Sequence, residues 1–103
     1  MKIVVIGAGT LAMTVADILS KDRNFSIAGF IGTKEEDTKF GGTPIYGSFP
    51  ILGDISLLKN LIEDGVTGFI VAVGDNKVRE TRYYEALTAG LTPVNAISRQ
   101  FVK

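Results

Sequence analysis

Two short stretches of this sequence carry the residue types that bind anions. The first is GAGTLA, residues 7–12, directly after the apolar run Ile3-Val4-Val5-Ile6. Gly7 can turn tightly out of a strand, and Gly9 lets the backbone approach a phosphate or ribose closely. Ala12 takes the place of the third glycine in the dinucleotide fingerprint, a replacement that pattern allows. A helix beginning at Thr10 and Leu11 would add free N–H groups and the positive end of its dipole. The competing reading is that Gly7, Gly9 and Ala12 only let a strand and a helix pack closely. The second stretch is GDNKVR, residues 74–79. Gly74 follows another apolar run, and Asp75 or Asn76 is a helix N-cap that also offers short polar groups to a ligand. Arg79 stands one turn into that helix, placed either to reach an anion or to cover the helix start.

A third stretch, Gly32-Thr33-Lys34, follows the second apolar run. A NAD site wants Asp or Glu at this point to hold the ribose hydroxyls. Glu35 and Glu36 come later, in what reads as loop, which counts against NAD. Lys34 either suits the 2′-phosphate of NADP or is a solvated loop lysine. The candidate site is therefore Gly7, Gly9, Thr10, Leu11, Gly32, Thr33, Lys34, Gly74, Asp75, Asn76 and Arg79.

The sequence has no histidine and no cysteine. Cys/His zinc sites, thiol nucleophiles, Ser-His-Asp triads and imidazole bases are thereby excluded from it, so no catalytic residue and no metal site are expected. The formal net charge is +0, which gives no electrostatic case for nucleic acid or an anionic membrane as partner. No apolar run approaches the roughly 18 residues that suggest a membrane helix. Lys2 leads at once into a strand-like run, so no signal peptide is expected. The lack of cysteine fits a cytoplasmic location.

These stretches need a scaffold, and 103 residues fit one domain, residues 1–103. Residues 2–6 read as a strand buried on both faces. From Thr10 to Lys21, Leu11, Val15, Ile18 and Leu19 recur at helical spacing and predict one buried face. Phe25 to Ile31 reads as a second strand with Gly29 inside it. Residues 32–49 read as a long loop, with a short strand near Ile45. Pro50-Ile51-Leu52 is a candidate third strand or a lead into the next turn. Asp54 is placed to cap a helix from Ile55 to about Glu63, stopped by Gly65. Gly68 to Val73 is another buried strand, followed by a helix to about Ala89 with Gly90 as its C-terminal cap. Leu91 to Ala96 is the last strand. Alternation of this kind predicts a parallel sheet with helices on both faces. Right-handed crossovers then give about five strands in the order 3-2-1-4-5, a small Rossmann-like three-layer α/β domain. Ligands of such sheets sit beyond the strand C-termini at the switch point, where this topology brings GAGTLA and GDNKVR together.

With both loops in view, KIVVIGAGTLAMTVADIL, IAGFIG, PILGDISLLKNL and FIVAVGDNKVRETRYYEALTAGLTPVNAI resemble the N-terminal domain of bacterial sugar O- and N-acyltransferases. This is the NeuD/PglD-like group of sialic acid O-acetyltransferases and bacillosamine N-acetyltransferases. The resemblance implies a Rossmann-like domain that holds a UDP-linked amino sugar, in enzymes of polysaccharide or glycan synthesis. It implies a following β-helix of hexapeptide repeats that forms trimers, binds acetyl-CoA and supplies a catalytic histidine. This sequence stops where that second domain would begin, and Phe101 and Val102 are residues on which something would pack or continue. Thr10 and Leu11 stand where the family has glycine and histidine, Gly32 and Thr33 where it has two aspartates, and Ser98 and Arg99 where it has histidine and proline. Two other readings stand beside this one. One is an NADP-binding domain of an oxidoreductase or redox sensor; the other is an interaction domain with a degenerate ligand site.

Overall fold

The computed structural model describes residues 1–7, 9–32, 44–45 and 49–94. In chain order the elements are β1 (Lys2–Ile6), α1 (Thr10–Ser20), β2 (Ser26–Ile31), β3 (Pro44–Ile45) and β4 (Phe49–Gly53). A 3₁₀ turn (Ile55–Leu57) then leads into α2 (Leu58–Glu63), β5 (Gly68–Val71), α3 (Asn76–Ala89) and β6 (Thr92–Pro93). The sheet order is β3-β4-β2-β1-β5-β6. Every pairing is parallel except that of β3 with β4. Without the short antiparallel edge strand β3, the five parallel strands stand in the expected order 3-2-1-4-5.

The central strand shows why its sequence is a continuous apolar run. Ile3 and Val5 belong to a cluster with Ala12, Val15, Ala16 and Leu19 of α1. Val4 and Ile6 belong to a second cluster with Leu58 and Leu61 of α2 and Ala86 of α3. Alternate residues of one strand thus face two helical layers, and neither face tolerates a polar residue. Right-handed crossovers that move opposite ways along the sheet put α1 on one face and α2 and α3 on the other.

Gly29 has a φ of 151° at a register shift between β1 and β2. A Cβ there would stand 2.6 Å from the Pro50 carbonyl oxygen of β4. A bulge and a close backbone approach explain a glycine inside a strand.

Several element boundaries differ from the sequence reading. The buried stripe of α1 is Ala12, Val15, Ala16 and Leu19, while Ile18 is half-buried and Leu11 is 44% exposed. Ala12 and Ala16 share that face with Val15 and Leu19, and Leu11, one position before Ala12, falls off it. The region after Asp54 starts as a 3₁₀ turn, with Leu57 N–H donating to the Asp54 carbonyl at 3.0 Å, before α2 begins. Strand β5 ends at Val71 rather than Val73, although Ala72 N–H still donates to the Ile6 carbonyl at 2.8 Å. Strand β6 is two residues long, and Asn95 and Ala96 lie outside the described residues. Gly90 ends α3 as expected, with φ 111° and its N–H turned back to the Leu87 carbonyl at 3.1 Å. Among the described residues no helix is long and apolar enough to cross a membrane.

Candidate functional site

The C-terminal edge of the sheet is where β1, β2, β4 and β5 hand over to their connections. Backbone pairing continues past the strand ends: Gly7 N–H donates to Ile31 at 2.8 Å, and Gly32 N–H to Gly53 at 3.0 Å. Backbone hydrogen bonds thus hold this edge of the sheet beyond the strand ends.

The two glycines of the first loop do different work. Gly7 has φ 135°, and a Cβ on it would stand 2.4 Å from the Ala72 carbonyl oxygen. Packing of the β1 end against the chain leaving β5 demands glycine there. Ala12 is fully buried and is likewise explained by packing. Gly9 is different. It is exposed, it has φ −96° and ψ −165°, and a Cβ on it would meet nothing within 4 Å among the described residues. Any residue adopts that backbone, so neither strain nor packing requires a glycine. Gly9 is also the N-cap of α1, and no side chain caps the helix or places an acid in its first turn. The first-turn N–H groups keep their donors for something other than a capping side chain. Thr10 opens the helix, and Leu11 follows it, 44% exposed.

The second loop settles which residue caps α3. Asp75 accepts from Lys77 N–H at 2.9 Å and Val78 N–H at 3.0 Å. It is the N-cap, and Asn76 is the first helical residue. The Asn76 side-chain oxygen instead accepts from the Arg79 guanidinium. Gly74 is exposed, has no positive φ, and like Gly9 has nothing within 4 Å of a would-be Cβ.

Gly32 lies half-buried at the end of β2. Thr33 and Lys34 lie outside the described residues. The structure thus brings Gly7, Gly9, Thr10, Leu11, Gly32, Gly74, Asp75, Asn76 and Arg79 to one edge of the sheet. Two features of that edge escaped the sequence reading. Leu11 leaves the buried face, and the Asn76–Arg79 contact joins two residues read separately. The i, i+3 spacing of those two on a helix was the available signal.

Away from this edge, an open cleft of about 590 Å³ is lined by Ile18, Lys21, Asp22 and Arg23. It lies at the far end of α1 from the glycine loop. Among the described residues no cluster of acidic side chains is arranged to hold a metal ion, and no buried side-chain polar atom lacks a partner.

A Rossmann-like sheet with a glycine loop at its switch point defines a class of small-molecule-binding domain. Residues 2–86 match the model of the PglD N-terminal domain, and the chain belongs to that family. Among solved structures, it is similar to perosamine N-acetyltransferase from Caulobacter crescentus, seen in complex with CoA and GDP-perosamine. The identity is 26% and the TM-score 0.72, over 88% of this chain and 40% of that one. The chain thus spans about 40% of the length of that acetyltransferase. A Rex-family repressor, 17% identical with a TM-score of 0.66 over 87% of this chain and 41% of its own, shares the fold. So does UDP-D-quinovosamine 4-dehydrogenase from Vibrio fischeri, 18% identical with a TM-score of 0.67 over 96% of this chain and 84% of that one. A search of the curated proteins finds no match.

Proposed function

We propose that this domain holds a nucleotide-linked amino sugar for a sugar O- or N-acetyltransferase of polysaccharide or glycan synthesis. The observation that carries the reading is the pair Gly9 and Gly74. Both flank the switch point, both have open space where a Cβ would stand, and neither has a positive φ. Among the described residues no neighbour requires glycine at either position, whereas a ligand lying against bare backbone would. Membership of the PglD N-terminal family and the GDP-perosamine complex of the acetyltransferase neighbour support the ligand class.

In this reading the Gly7–Leu11 loop and the start of α1 hold phosphate or ribose. Gly32, Thr33 and Lys34 flank the base, and Gly74, Asp75, Asn76 and Arg79 close the other side. UDP is the nucleotide expected from the family resemblance, and GDP is the one in the neighbour's complex. The domain has neither histidine nor cysteine, and in this reading the acyl-transfer catalyst lies outside it. Acetyl-CoA, the general base and trimer contacts belong to a hexapeptide-repeat β-helix of the whole protein.

Calorimetric titration with UDP, UDP-N-acetylglucosamine, GDP, NAD and NADP at one fixed salt tests this. The expected result is binding of a nucleoside diphosphate or its sugar, weakened by Gly9→Val. A preference for NADP that Lys34→Glu removes would make the domain a redox module. Silence from every ligand would leave the fold and ancestry with no nucleotide attached.

A further inference from the structure

Helix α3 presents one stripe to the core, and Arg79 belongs to it. Ala86 is the buried residue of the helix, and Arg82 and Ala89 are half-buried. Arg79, Arg82, Ala86 and Ala89 stand at i, i+3, i+7 and i+10, which is a single face. Arg79 alone of the four is exposed. The reason is height. The helix begins beyond the end of β5 and runs back along the sheet, so its first turn overhangs the C-terminal edge while later turns lie over packed strands. Side chains of a helix lean toward its N-terminus, which carries Arg79 further out over the edge. An ordinary solvated arginine would sit on the outward face, with Tyr84 and Leu87.

Charge pairing separates Arg79, together with Lys77, from Arg82 on the same helix. Arg82 is ion-paired with Glu85 at 2.7 Å, and Lys21 lies 3.4 Å from Asp17. Among the described residues Arg79 forms no ion pair. Its side-chain contact is the neutral oxygen of Asn76, which engages one arm of a guanidinium that has five N–H donors. A cation in the first turn also opposes the helix dipole. Among the described residues Arg79 is thus a forked donor without an ionic partner on the sheet-facing side of a helix start, and an anion lying at the edge would offset both costs.

We infer that Arg79 is the cation that binds the phosphates of the nucleotide, with Asn76 as the positioning residue that fixes its guanidinium and Asp75 as a structural cap without ligand contact. The inference rests on the nucleotide-sugar reading above and assigns its charge recognition to one side chain. A planar fork matches two phosphate oxygens at once, which an ammonium does not.

The test compares the wild-type chain with Arg79→Gln, Arg79→Lys and Asn76→Ala, titrated with uridine, UDP, guanosine and GDP at two salt concentrations. Urea midpoints run in parallel confirm that each variant is folded. Arg79→Gln is expected to weaken UDP or GDP by about tenfold or more. It should leave the nucleoside unchanged and flatten the salt dependence. Arg79→Lys restores the salt dependence but only part of the affinity. Asn76→Ala falls between wild type and Arg79→Gln, with the same selectivity for the diphosphate over the nucleoside. If Arg79→Gln binds the diphosphate as tightly as wild type, the assignment fails while the nucleotide-sugar reading stands. If the wild-type chain binds none of the four, reading and assignment fall together.

Discussion

The loops after β1 and β5 meet at the same edge of the sheet and start helices on opposite faces, yet they treat their helix starts differently. After β5, Asp75 caps α3 with two hydrogen bonds, at 2.9 and 3.0 Å, so that loop satisfies its own backbone. After β1, Gly9 has no side chain to give, and the first turn of α1 keeps its donors free of any capping side chain. Among the described residues one loop caps its helix start with a side chain and the other does not. In the proposed reading this difference would divide the labour between backbone donors from the first loop and a side-chain cation from the second.

The sharpest way to break the comparison is at Gly7, where a side chain is forbidden. Gly7→Ala pushes a Cβ into the Ala72 carbonyl at 2.4 Å and forces a non-glycine residue into φ 135°. A loss of about 2–4 kcal/mol is expected in urea denaturation, from backbone strain and the displaced β1–β5 contact. A loss near zero would mean that the two strand ends do not pack as described. Next in size is Asp75→Ala, which uncaps α3 and should cost about 1 kcal/mol by the same measurement. Because Asp75 spends its carboxylate on the backbone, Asp75→Asn should recover most of that stability. If Asp75→Ala removed nucleotide binding from a chain as stable as wild type, Asp75 would be a ligand contact and the division of labour would be wrong.

Smaller still is Gly74→Ala, with an expected stability change within about 0.5 kcal/mol, since the position has room and ordinary backbone. Nucleotide affinity should fall even so, as the added methyl occupies the approach to the loop. Thermal unfolding with and without UDP or GDP separates the two effects. The smallest change is expected from Tyr84→Ala. Its side chain is 57% exposed and its ring meets that of Tyr83 edge-on. Neither stability, within about 0.5 kcal/mol, nor nucleotide affinity should move.

The same contrast bears on what the sequence could reveal. The β1 run, the strand order and the caps at Asp54 and Gly90 were legible because each follows from one local rule: burial on two faces, crossover handedness, or a residue type that suits a helix end. Leu11 was misread because periodicity counts apolar residues equally. Ala12, Val15, Ala16 and Leu19 form the buried stripe, and counting alanine as a core residue would have shifted the face off Leu11. Asp75 and Asn76 could not be separated because both are short, polar and adjacent; the hydrogen bonds separate them. The roles of Gly7 and Gly9 look identical in sequence and diverge only when the space around each is measured. Thr33 and Lys34 lie outside the described residues, so the base-proximal part of the candidate site rests on sequence alone.

The central claim is that a nucleotide lies on the bare backbone at the C-terminal edge, with the first loop supplying the donors. Amide chemical-shift mapping of the isotopically labelled chain tests that most directly, with UDP-N-acetylglucosamine and then a GDP-linked sugar added stepwise. The account predicts saturable shifts of the Gly9, Leu11, Gly32 and Gly74 amides, with Lys21, Asp22 and Arg23 at the opposite end of α1 unmoved. Shifts centred on that far cleft, or none at the glycine loop with either ligand, would contradict it.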